Sequence, residues 1–473
     1  MRHFFTTAIS TFLIVLLFFI QSKQSFSQTK SDSVFIIDKI IVTGNEKTKE
    51  FVVLRELPIK TGDTIVLQKI HSLLIEARNN LLKTSLFNFV TISYNTIGNI
   101  ISLQVLVEER WYLWPYPILE HADRNLSSWI ENRDVRKINY GACFIKHNFR
   151  GRREILKIKT RLGYREQYSI LYQNPYLGSK QRNGLNIEAA FFRQHEIVYQ
   201  TKNNKPDYYR SDQNYILHSF NSNISYTYRK HLLNSHSITG FYSHHTMADT
   251  ILKLNPLFFY PDDKNLTNPS ISYLFSRDAR DSKVYPLKGY LLHFSVSKQW
   301  LLTEQNKTSI NSSIGLISLY SKLFDKVYFG ADMKGKYTFN GDYPYFINKA
   351  LGYNDFLRGY EYYIIDGKHF FTSKMNLKYE IITPRVKKID FIPLAKFNKI
   401  HYAVYASCYV DYGYVADGRY SDTNNMVNAS QYSAGIGIDF VTYYDKIFRI
   451  EYSINKFGNH GIYFHIGAPI FSN

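Results

Sequence analysis

Alternation of apolar and polar residues in strand-length segments is the dominant pattern of this chain from about residue 120 to its end. In one such segment, Phe448, Ile450 and Tyr452 alternate with Arg449 and Glu451. Successive side chains of a β-strand point to opposite faces, so this period of two predicts a sheet with one apolar and one polar face. The same pattern recurs in residues 156–164, 290–297 and 374–381.

A soluble β-sandwich and a transmembrane β-barrel both alternate in this way. The segments are about ten residues long, which suits a tilted strand that crosses a bilayer. Many of the 40 Tyr and 34 Phe lie at the segment ends, and Lys and Arg occupy the polar face, which a sandwich core would have to bury. We therefore predict a mainly β protein whose residues 121–473 form a transmembrane antiparallel barrel. At about 20–24 residues per strand and connection, it has roughly 16 strands.

The N-terminus has the features of an export signal. Arg2 precedes an apolar run over residues 4–20, and a polar stretch follows, with small residues beside the predicted cut after Ser27. This predicts a signal peptide over residues 1–27, with a transmembrane anchor as the alternative. The net charge of +19 would suit nucleic acid. Export argues against a nucleic-acid partner, and the charge then indicates an anionic membrane surface or a basic pore lining.

Residues 33–110 have a different pattern, which predicts a small α/β domain. A β-rich run is followed by two helical stretches and two further strands. Several short pieces of this region, in this order, resemble a POTRA domain: residues 40–45 (IIVTGN), 53–57 (VLREL), 62–63 (GD), 86–90 (LFNFV) and 105–108 (VLVE). The resemblance implies a periplasmic domain that receives unfolded chains, with an edge strand open to pairing.

Residues 351–360 (LGYNDFLRGY) resemble the signature of the bacterial surface antigen family, the outer-membrane assembly factors of the BamA/TamA type. The resemblance implies a long loop that folds back into the barrel, where its Arg meets acidic side chains on inner strand faces. The residues of the motif are Leu357, Arg358, Gly359 and Tyr360. Asp411 and Glu380 are the candidate partners, because the alternation in their strands assigns both residues to the inner face of the barrel. The alternative is a surface loop with a solvated Arg358.

A second stretch resembles the turn that precedes a strand in the same family. Its residues are Arg277, Asp278, Arg280, Asp281, Pro286 and Gly289. We expect these charged side chains to pair across neighbouring strands, which gives the stretch an architectural role. The chain also departs from the family, because it has a single POTRA-like segment and ends in PIFSN rather than in an aromatic residue. These departures predict a specialised or accessory member.

The resemblance implies a factor that inserts or translocates proteins at the outer membrane of a diderm bacterium. The POTRA-like domain would receive clients, and the first and last strands, the first near residues 140–146, would part as a seam. The expected partners are unfolded outer-membrane or secreted proteins, outer-membrane lipids and accessory periplasmic or lipoprotein subunits. The alternative is a conduit for a secreted polypeptide or lipid. The sequence contains neither Gly-x-Ser-x-Gly nor His-Glu-x-x-His, and we predict no enzyme, catalytic residue, metal or cofactor.

Overall fold

In the computed structural model, the described residues are 34–121, 137–178, 180–260, 263–340, 344–390, 392–393, 395–418, 424–442, 444 and 446–467. The predicted signal peptide and the last six residues of the chain lie outside the described residues. No helix in the described part of the chain is long and apolar enough to cross a membrane.

The N-terminal domain has the predicted order of strand, two helices and two strands, with one short extra strand. Its elements are β1 (Val34–Thr43), α1 (Glu50–Arg55), β2 (Thr64–Val66), α2 (Leu67–Leu82), β3 (Phe87–Ile97) and β4 (Ile100–Glu109). Within residues 34–109, which are described without a gap, the strands form one sheet in the order β2-β1-β4-β3, with β1 parallel to β4.

Helix α2 buries a stripe of apolar side chains, including Ile70, Ala77 and Leu81, against this sheet. The spacing of seven and four residues keeps all three on one side of the helix. After β1 the chain turns at Gly44, where φ is +83° and a Cβ atom would lie only 2.0 Å from the carbonyl oxygen of Val107. Only glycine fits there, which explains the Gly-Asn pair of the POTRA-like pattern.

The remaining strands belong to the barrel or to its connections. They are β5 (Leu113–His121), β6 (Ile138–Phe149), β7 (Glu154–Gly163), β8 (Arg165–Leu177), β9 (Asn183–Gln194), β10 (Glu196–Lys202), β11 (Lys205–Arg210), β12 (Leu217–Tyr228), β13 (Asn234–Met247), β14 (Asn265–Asp278), β15 (Gly289–Leu302), β16 (Lys307–Phe324), β17 (Val327–Thr338), β18 (Lys349–Leu351), β19 (Ile365–Asp366), β20 (His369–Lys388), β21 (Lys399–Ala416), β22 (Ser430–Thr442), β23 (Lys446–Asn455) and β24 (His460–Ile466). Short helices α3 (Asp249–Leu254) and α4 (Ala395–Asn398) and a 3₁₀ turn (Tyr345–Ile347) lie in connections.

Among the described residues, one antiparallel sheet contains sixteen strands, with β5 at one end and β24 at the other. The pairs β10–β11 and β18–β19 stand outside it. This confirms the predicted barrel of roughly 16 strands. The alternation also has the predicted sense: Ile438 and Ile450 are exposed on the outer face, while the residues that follow them, Asp439 and Glu451, are buried inside.

The barrel begins earlier in the chain than predicted. Strand β5 starts at Leu113, and it pairs with β6, so the predicted boundary at residue 121 and the predicted first strand at residues 140–146 were wrong. Residues 140–146 lie in β6, the second strand. Pro115 and Pro117 obscured β5, because proline cannot donate to a strand ladder. A strand at the end of a sheet tolerates them, since one of its sides has no ladder to lose.

The POTRA-like domain packs across one end of the barrel, which we call the near end. The backbone N–H of Lys49 donates to the carbonyl oxygen of Gly151, 2.9 Å away, in the turn after β6. On the other side of the domain, Glu108 accepts a hydrogen bond from Lys399, 2.9 Å away, at the start of β21. Contacts to turns this far apart in the sheet show that the domain spans the mouth of the barrel at this end.

Candidate functional site

The segment between β17 and β20, described over residues 344–368, folds into the barrel, and we call it the inner loop. The paired strands β18 and β19 bring its two ends together. The motif predicted from the sequence lies at its tip, where Leu357, Arg358 and Tyr360 are buried. Arg358 is only 2% exposed and is among the largest fully buried side chains of the described residues.

Arg358 has a complete set of partners on the inner wall. Its backbone N–H and its Nε each donate to Asp411 Oδ2 over 3.0 Å, and Nη2 forms an ion pair with the other oxygen of that carboxylate. Nη1 donates to Asn376 Oδ1 over 2.6 Å and lies 3.4 Å from Glu451 Oε1. The guanidinium also lies 3.6 Å from the centre of the Tyr409 ring. These partners come from β20, β21 and β23, so one side chain ties three strands together.

The energetics of this cluster follow from its burial. Asp411 and Glu451 are as inaccessible as Arg358. Moving such charges out of water is costly, and only a good fork-to-carboxylate geometry with additional hydrogen bonds offsets that cost. Once the cluster is formed, removal of Arg358 leaves Asp411 buried without the guanidinium that compensates its charge. The cluster of Arg358, Asp411 and Glu451 therefore fixes the tip of the inner loop to the barrel wall, and we call it the latch.

Gly359 lets the loop backbone lie directly on the wall. Its φ is +82°, and a Cβ atom would lie 3.2 Å from the Cβ of Ser453 and 3.5 Å from that of Ser433. The side-chain amide of Asn455 donates to the carbonyl oxygen of Gly359 over 2.8 Å. Next to it, the Tyr360 hydroxyl donates to a backbone carbonyl of β22, 3.0 Å away. The tip therefore contacts β23 through its backbone and β22 through the Tyr360 hydroxyl, in addition to the contacts of Arg358.

Leu357 fills the space that Gly413 leaves on β21. A Cβ atom at residue 413 would come within 2.6 Å of a Leu357 methyl carbon. We expect Gly413→Ala to displace the loop tip and to cost about 1–3 kcal/mol, as overpacking does. Protease accessibility of the loop in the folded barrel measures the displacement. Gly335→Ala is the control, since its added methyl meets nothing closer than 3.7 Å. Equal protection of the two variants would contradict the close contact.

The structure separates Glu380 from Arg358, so the expected pairing of these two residues was wrong. Glu380 accepts a hydrogen bond from the Tyr328 hydroxyl, 3.2 Å away. It lies four residues beyond Asn376 on β20, which at about 3.3 Å per residue places it about 13 Å farther along the strand. The second carboxylate at the guanidinium is Glu451. The alternation of β23 predicted that Glu451 faces the interior. It could not predict how deep in the barrel the inner loop reaches.

The inner loop also reaches the last strand of the sheet. Nε2 of His465, on β24, lies 3.6 Å from Glu361 Oε1 and 3.4 Å from Glu451 Oε2. Its ring stacks on Phe356, with centroids 5.8 Å apart and an interplanar angle of 24°. These contacts add β24 to the strands that the inner loop contacts. No sequence pattern marks His465, because its contacts depend on the position of the inner loop.

The second predicted motif forms the near-end turn between β14 and β15. Arg280 and Asp278 pair with each other inside the turn, with two contacts of 2.9 Å, so the expected pairing across strands was wrong for them. Arg277 does reach a neighbouring strand, where Nε donates to the Tyr290 hydroxyl over 2.7 Å. The carboxylate of Asp281 accepts backbone N–H groups, among them that of Leu287 at 3.1 Å. A short acidic side chain that bonds to its own turn satisfies the backbone without a second strand.

The last two residues of that motif shape the same turn. Pro286 is buried within it. Gly289 has a φ of +97°, and a Cβ atom would lie 2.2 Å from the Ala279 carbonyl oxygen. Both residues are therefore architectural, which is the role that the sequence analysis gave to the motif.

This turn also contributes to a buried cluster that no sequence motif predicted. The Tyr285 hydroxyl donates to Asp439 Oδ2 over 2.7 Å, although β15 and β22 are five strands apart in the sheet. Arg449 Nε donates to the other carboxylate oxygen over 2.6 Å. Lys378 Nζ lies 3.8 Å from the centre of the Tyr285 ring. The turn thus crosses the near end of the interior. The inward parity of Asp439 and Arg449 was the available signal.

The described residues contain no group of three or more His, Cys, Asp or Glu side chains arranged to hold a metal ion. The carboxylates of Asp411 and Glu451 at the loop tip both face the guanidinium of Arg358. The geometry of the site is that of a mechanical latch, in which ion pairs and close backbone contacts fix a loop against a wall.

Comparisons with known proteins agree with this architecture. No curated protein matches the chain significantly. A structure of CdiB from Acinetobacter baumannii shares 12% identity over 92% of this chain and 74% of that chain, with a TM-score of 0.50. BamA from Haemophilus ducreyi, lacking POTRA domains 1–3, shares 15% over 91% and 84%, with a TM-score of 0.48. At this identity the CdiB structure indicates similarity of fold alone. A POTRA model, described as a surface antigen variable number repeat, matches residues 35–110. The Omp85 superfamily domain matches residues 148–468, and the chain belongs to that superfamily.

Proposed function

We propose that this protein assembles or inserts other proteins at the outer membrane of a diderm bacterium, with its POTRA-like domain in the periplasm. One observation carries the proposal. The two ends of the sixteen-stranded sheet, β5 and β24, share no backbone ladder within the described residues. A barrel wall with two strand edges at one place offers backbone hydrogen-bonding groups to an extended client chain.

The POTRA-like domain offers an additional edge on the periplasmic side. Strand β3 is eleven residues long and ends its sheet. Residues 93–97 of this strand are exposed. An unfolded client that pairs here would lie directly below the barrel mouth, because the domain spans the near end. Main-chain pairing of this kind accepts many sequences, as a receptor of varied clients requires.

The inner loop would hold the wall next to the seam in place. Arg358 ties β20, β21 and β23, and Glu361 and Phe356 reach β24. In this role Leu357, Arg358, Gly359 and Tyr360, with Asp411, are positioning residues. They keep the last strands of the sheet fixed while the seam edge is exposed. No chemical transformation is required of them, and we propose no catalytic group.

A conduit for a secreted polypeptide or lipid is the competing function, and buried Lys374 and Lys378 would suit an anionic cargo. The inner loop and the turn that carries Tyr285 both occupy the interior, so a conduit would require their displacement.

Depletion of the protein separates the two functions. An assembly factor predicts that other barrel proteins decline in the outer membrane and that their unfolded precursors accumulate in the periplasm. Quantitative mass spectrometry of the two fractions measures both. A conduit predicts unchanged barrel proteins, with the loss of one secreted product, and steady ion conductance of the purified protein in planar bilayers. That result would overturn the proposal.

A further inference from the structure

A cavity of about 690 Å³ lies between the POTRA-like domain and the near end of the barrel. The domain contributes the end of α2 and the turn after it, and the barrel contributes near-end turns that join strands between β6 and β15. None of the described residues that line the cavity belongs to the latch, to β5 or to β24. Its volume is in the range of small-molecule sites in proteins, about 300–1,000 Å³.

The charges that line this cavity are unbalanced. Among the described residues, six lining side chains are Lys or Arg, and only two are carboxylates. Both carboxylates are already paired, because Glu56 receives two hydrogen bonds from Arg229, and Asp278 receives two from Arg280. The cavity therefore keeps a positive charge after these pairs are formed, and such a cavity attracts anions.

Three of these cations form no ion pair within the described part of the chain. They are Lys83 on the domain, and Arg182 and Lys283 on the barrel. Both lysines interact with the charge of Asp278, but Arg280 already neutralises that carboxylate. Lys283 is exposed although its turn crosses the near end of the interior, so its accessible surface faces the cavity that it lines.

The protein keeps these two ammonium groups at an energetic cost. Burial is the main cause that lowers the pKa of Lys83 below its ordinary value and the pKa of Lys283 to about 8, from 10.5. Repulsion by Arg153 acts on Lys283 in the same direction. Lys283 is still mostly charged at pH 7. An anion placed beside both lysines would offset the burial and the repulsion together.

Phosphate suits this set of side chains better than carboxylate does. A phosphate monoester carries about two negative charges at pH 7, so one group can balance two of the three cations. A guanidinium binds phosphate through two parallel hydrogen bonds, and an ammonium binds it as a point charge. The side-chain amides of Gln173 and Gln181 also line the cavity and can donate to the remaining oxygens.

We propose that the cavity binds a small phosphate-bearing molecule between Lys83, Arg182 and Lys283, and that the bound molecule strengthens the docking of the POTRA-like domain. Because Lys83 belongs to the domain and the other two belong to the barrel, one anion attracts both sides of the interface. Without it, the three cations repel one another across that interface. The phosphate is either that of a soluble monoester or that of a phospholipid headgroup. The site does not depend on the proposed assembly function.

Thermal unfolding of the purified full-length protein in a neutral detergent tests the site. Inorganic phosphate and glycerol 3-phosphate are the soluble probes, and chloride at equal ionic strength is the control for screening. We expect saturating phosphate to raise the unfolding midpoint by several degrees and chloride to leave it unchanged. Bound phosphate should also slow hydrogen exchange at Lys49, whose N–H donates to Gly151 across the interface.

Variants of the two lysines separate binding from a structural role. Lys83→Gln and Lys283→Gln should each weaken phosphate binding about tenfold in calorimetric titrations, because each removes a charged donor. Neither change leaves a buried charge unpaired, so without phosphate both variants should unfold no earlier than the unmodified protein. Lys322→Gln is the matched control, since Lys322 pairs with Asp325 in another near-end turn and does not line the cavity.

Mixed micelles that contain phosphatidic acid distinguish the two sources of phosphate. Stabilisation by the soluble probes indicates a soluble ligand, and stabilisation by phosphatidic acid alone indicates a lipid headgroup. Either result supports the site if Lys283→Gln reduces it and Lys322→Gln does not. Equal affinity of the unmodified protein and the two cavity variants, equal effects of phosphate and chloride, or no stabilisation by any probe would overturn the site. Unchanged exchange at Lys49 with phosphate bound would overturn its coupling to the docking.

Discussion

Replacement of Arg358 by alanine is expected to destabilise the folded barrel by about 3–5 kcal/mol, because it leaves the fully buried carboxylate of Asp411 without the guanidinium that pairs with it. The loop tip should detach from the wall, and client assembly should fail with it. Thermal unfolding of the purified protein, followed by the heat-dependent shift of its mobility on gels, measures the stability. Arg358→Lys should recover only part of the loss, since an ammonium group cannot reproduce the fork on Asp411.

A matched arginine on another strand provides the control. Arg193 on β9 pairs with Glu166, but its side chain is about one-third exposed. Exposed ion pairs contribute about 0–1 kcal/mol, so Arg193→Ala should unfold close to the unmodified protein. If the two alanine variants had equal stability, the latch at Arg358 would not contribute what its burial indicates.

Replacement of Glu56 by alanine is expected to release the POTRA-like domain from the near end of the barrel. Glu56 is buried and receives two hydrogen bonds from Arg229, at 2.7 and 3.1 Å, and one from the Tyr176 hydroxyl at 2.7 Å. Arg153 lies 3.8 Å away. Removal of this carboxylate leaves the arginines facing each other, at a cost of about 3 kcal/mol.

Hydrogen exchange of the near-end turns measures the release. Protection at the turn that contains Gly151 should fall in Glu56→Ala. The control is Glu108→Ala on the other side of the domain, because the pair of Glu108 and Lys399 is nearly half exposed and contributes little. Retained protection in Glu56→Ala would contradict the assignment of the domain interface to this carboxylate.

The same contact gives the docking a predictable dependence on pH. Burial alone raises the pKa of Glu56, but Arg229 and Arg153 outweigh that effect and lower it to about 2, from 4.5. Because the pKa is depressed, its stabilising contribution of about 3 kcal/mol is fully present above pH 4.5 and is lost as the pH falls towards 2. Protection should therefore decline over that window. Glu56→Gln should be less protected at pH 7 and show a flatter profile.

The fold was largely predictable because a barrel imposes one rule on every strand. Alternation fixes which side chains face lipid and which face the interior, and this gave Asp411 the correct inward position. The same rule cannot say how far a loop descends into the interior. Glu380 and Glu451 both occupy inward-facing positions of their strands. The depth of the inner loop decides that Glu451, and not Glu380, lies beside Arg358.

Strand β5 and the interface between the POTRA-like domain and the barrel could not be predicted from the sequence, for two different reasons. Proline argues against a strand in general, and it becomes acceptable only once β5 is known to end the sheet. Glu56 lies in a helical pattern whose apolar stripe accounts for its neighbours, and nothing local marks it as a contact of Arg229. Contacts between residues that are 173 positions apart follow from the packing of two domains rather than from any pattern within one of them.

Reconstitution tests the assembly function most directly. An unfolded outer-membrane barrel protein is added to lipid vesicles that contain the purified protein, and its conversion to a protease-resistant folded form is followed over time. The proposed function predicts conversion at least about tenfold faster than with empty vesicles, and a rate close to that of empty vesicles for Arg358→Ala. Equal rates with and without the unmodified protein would contradict the function.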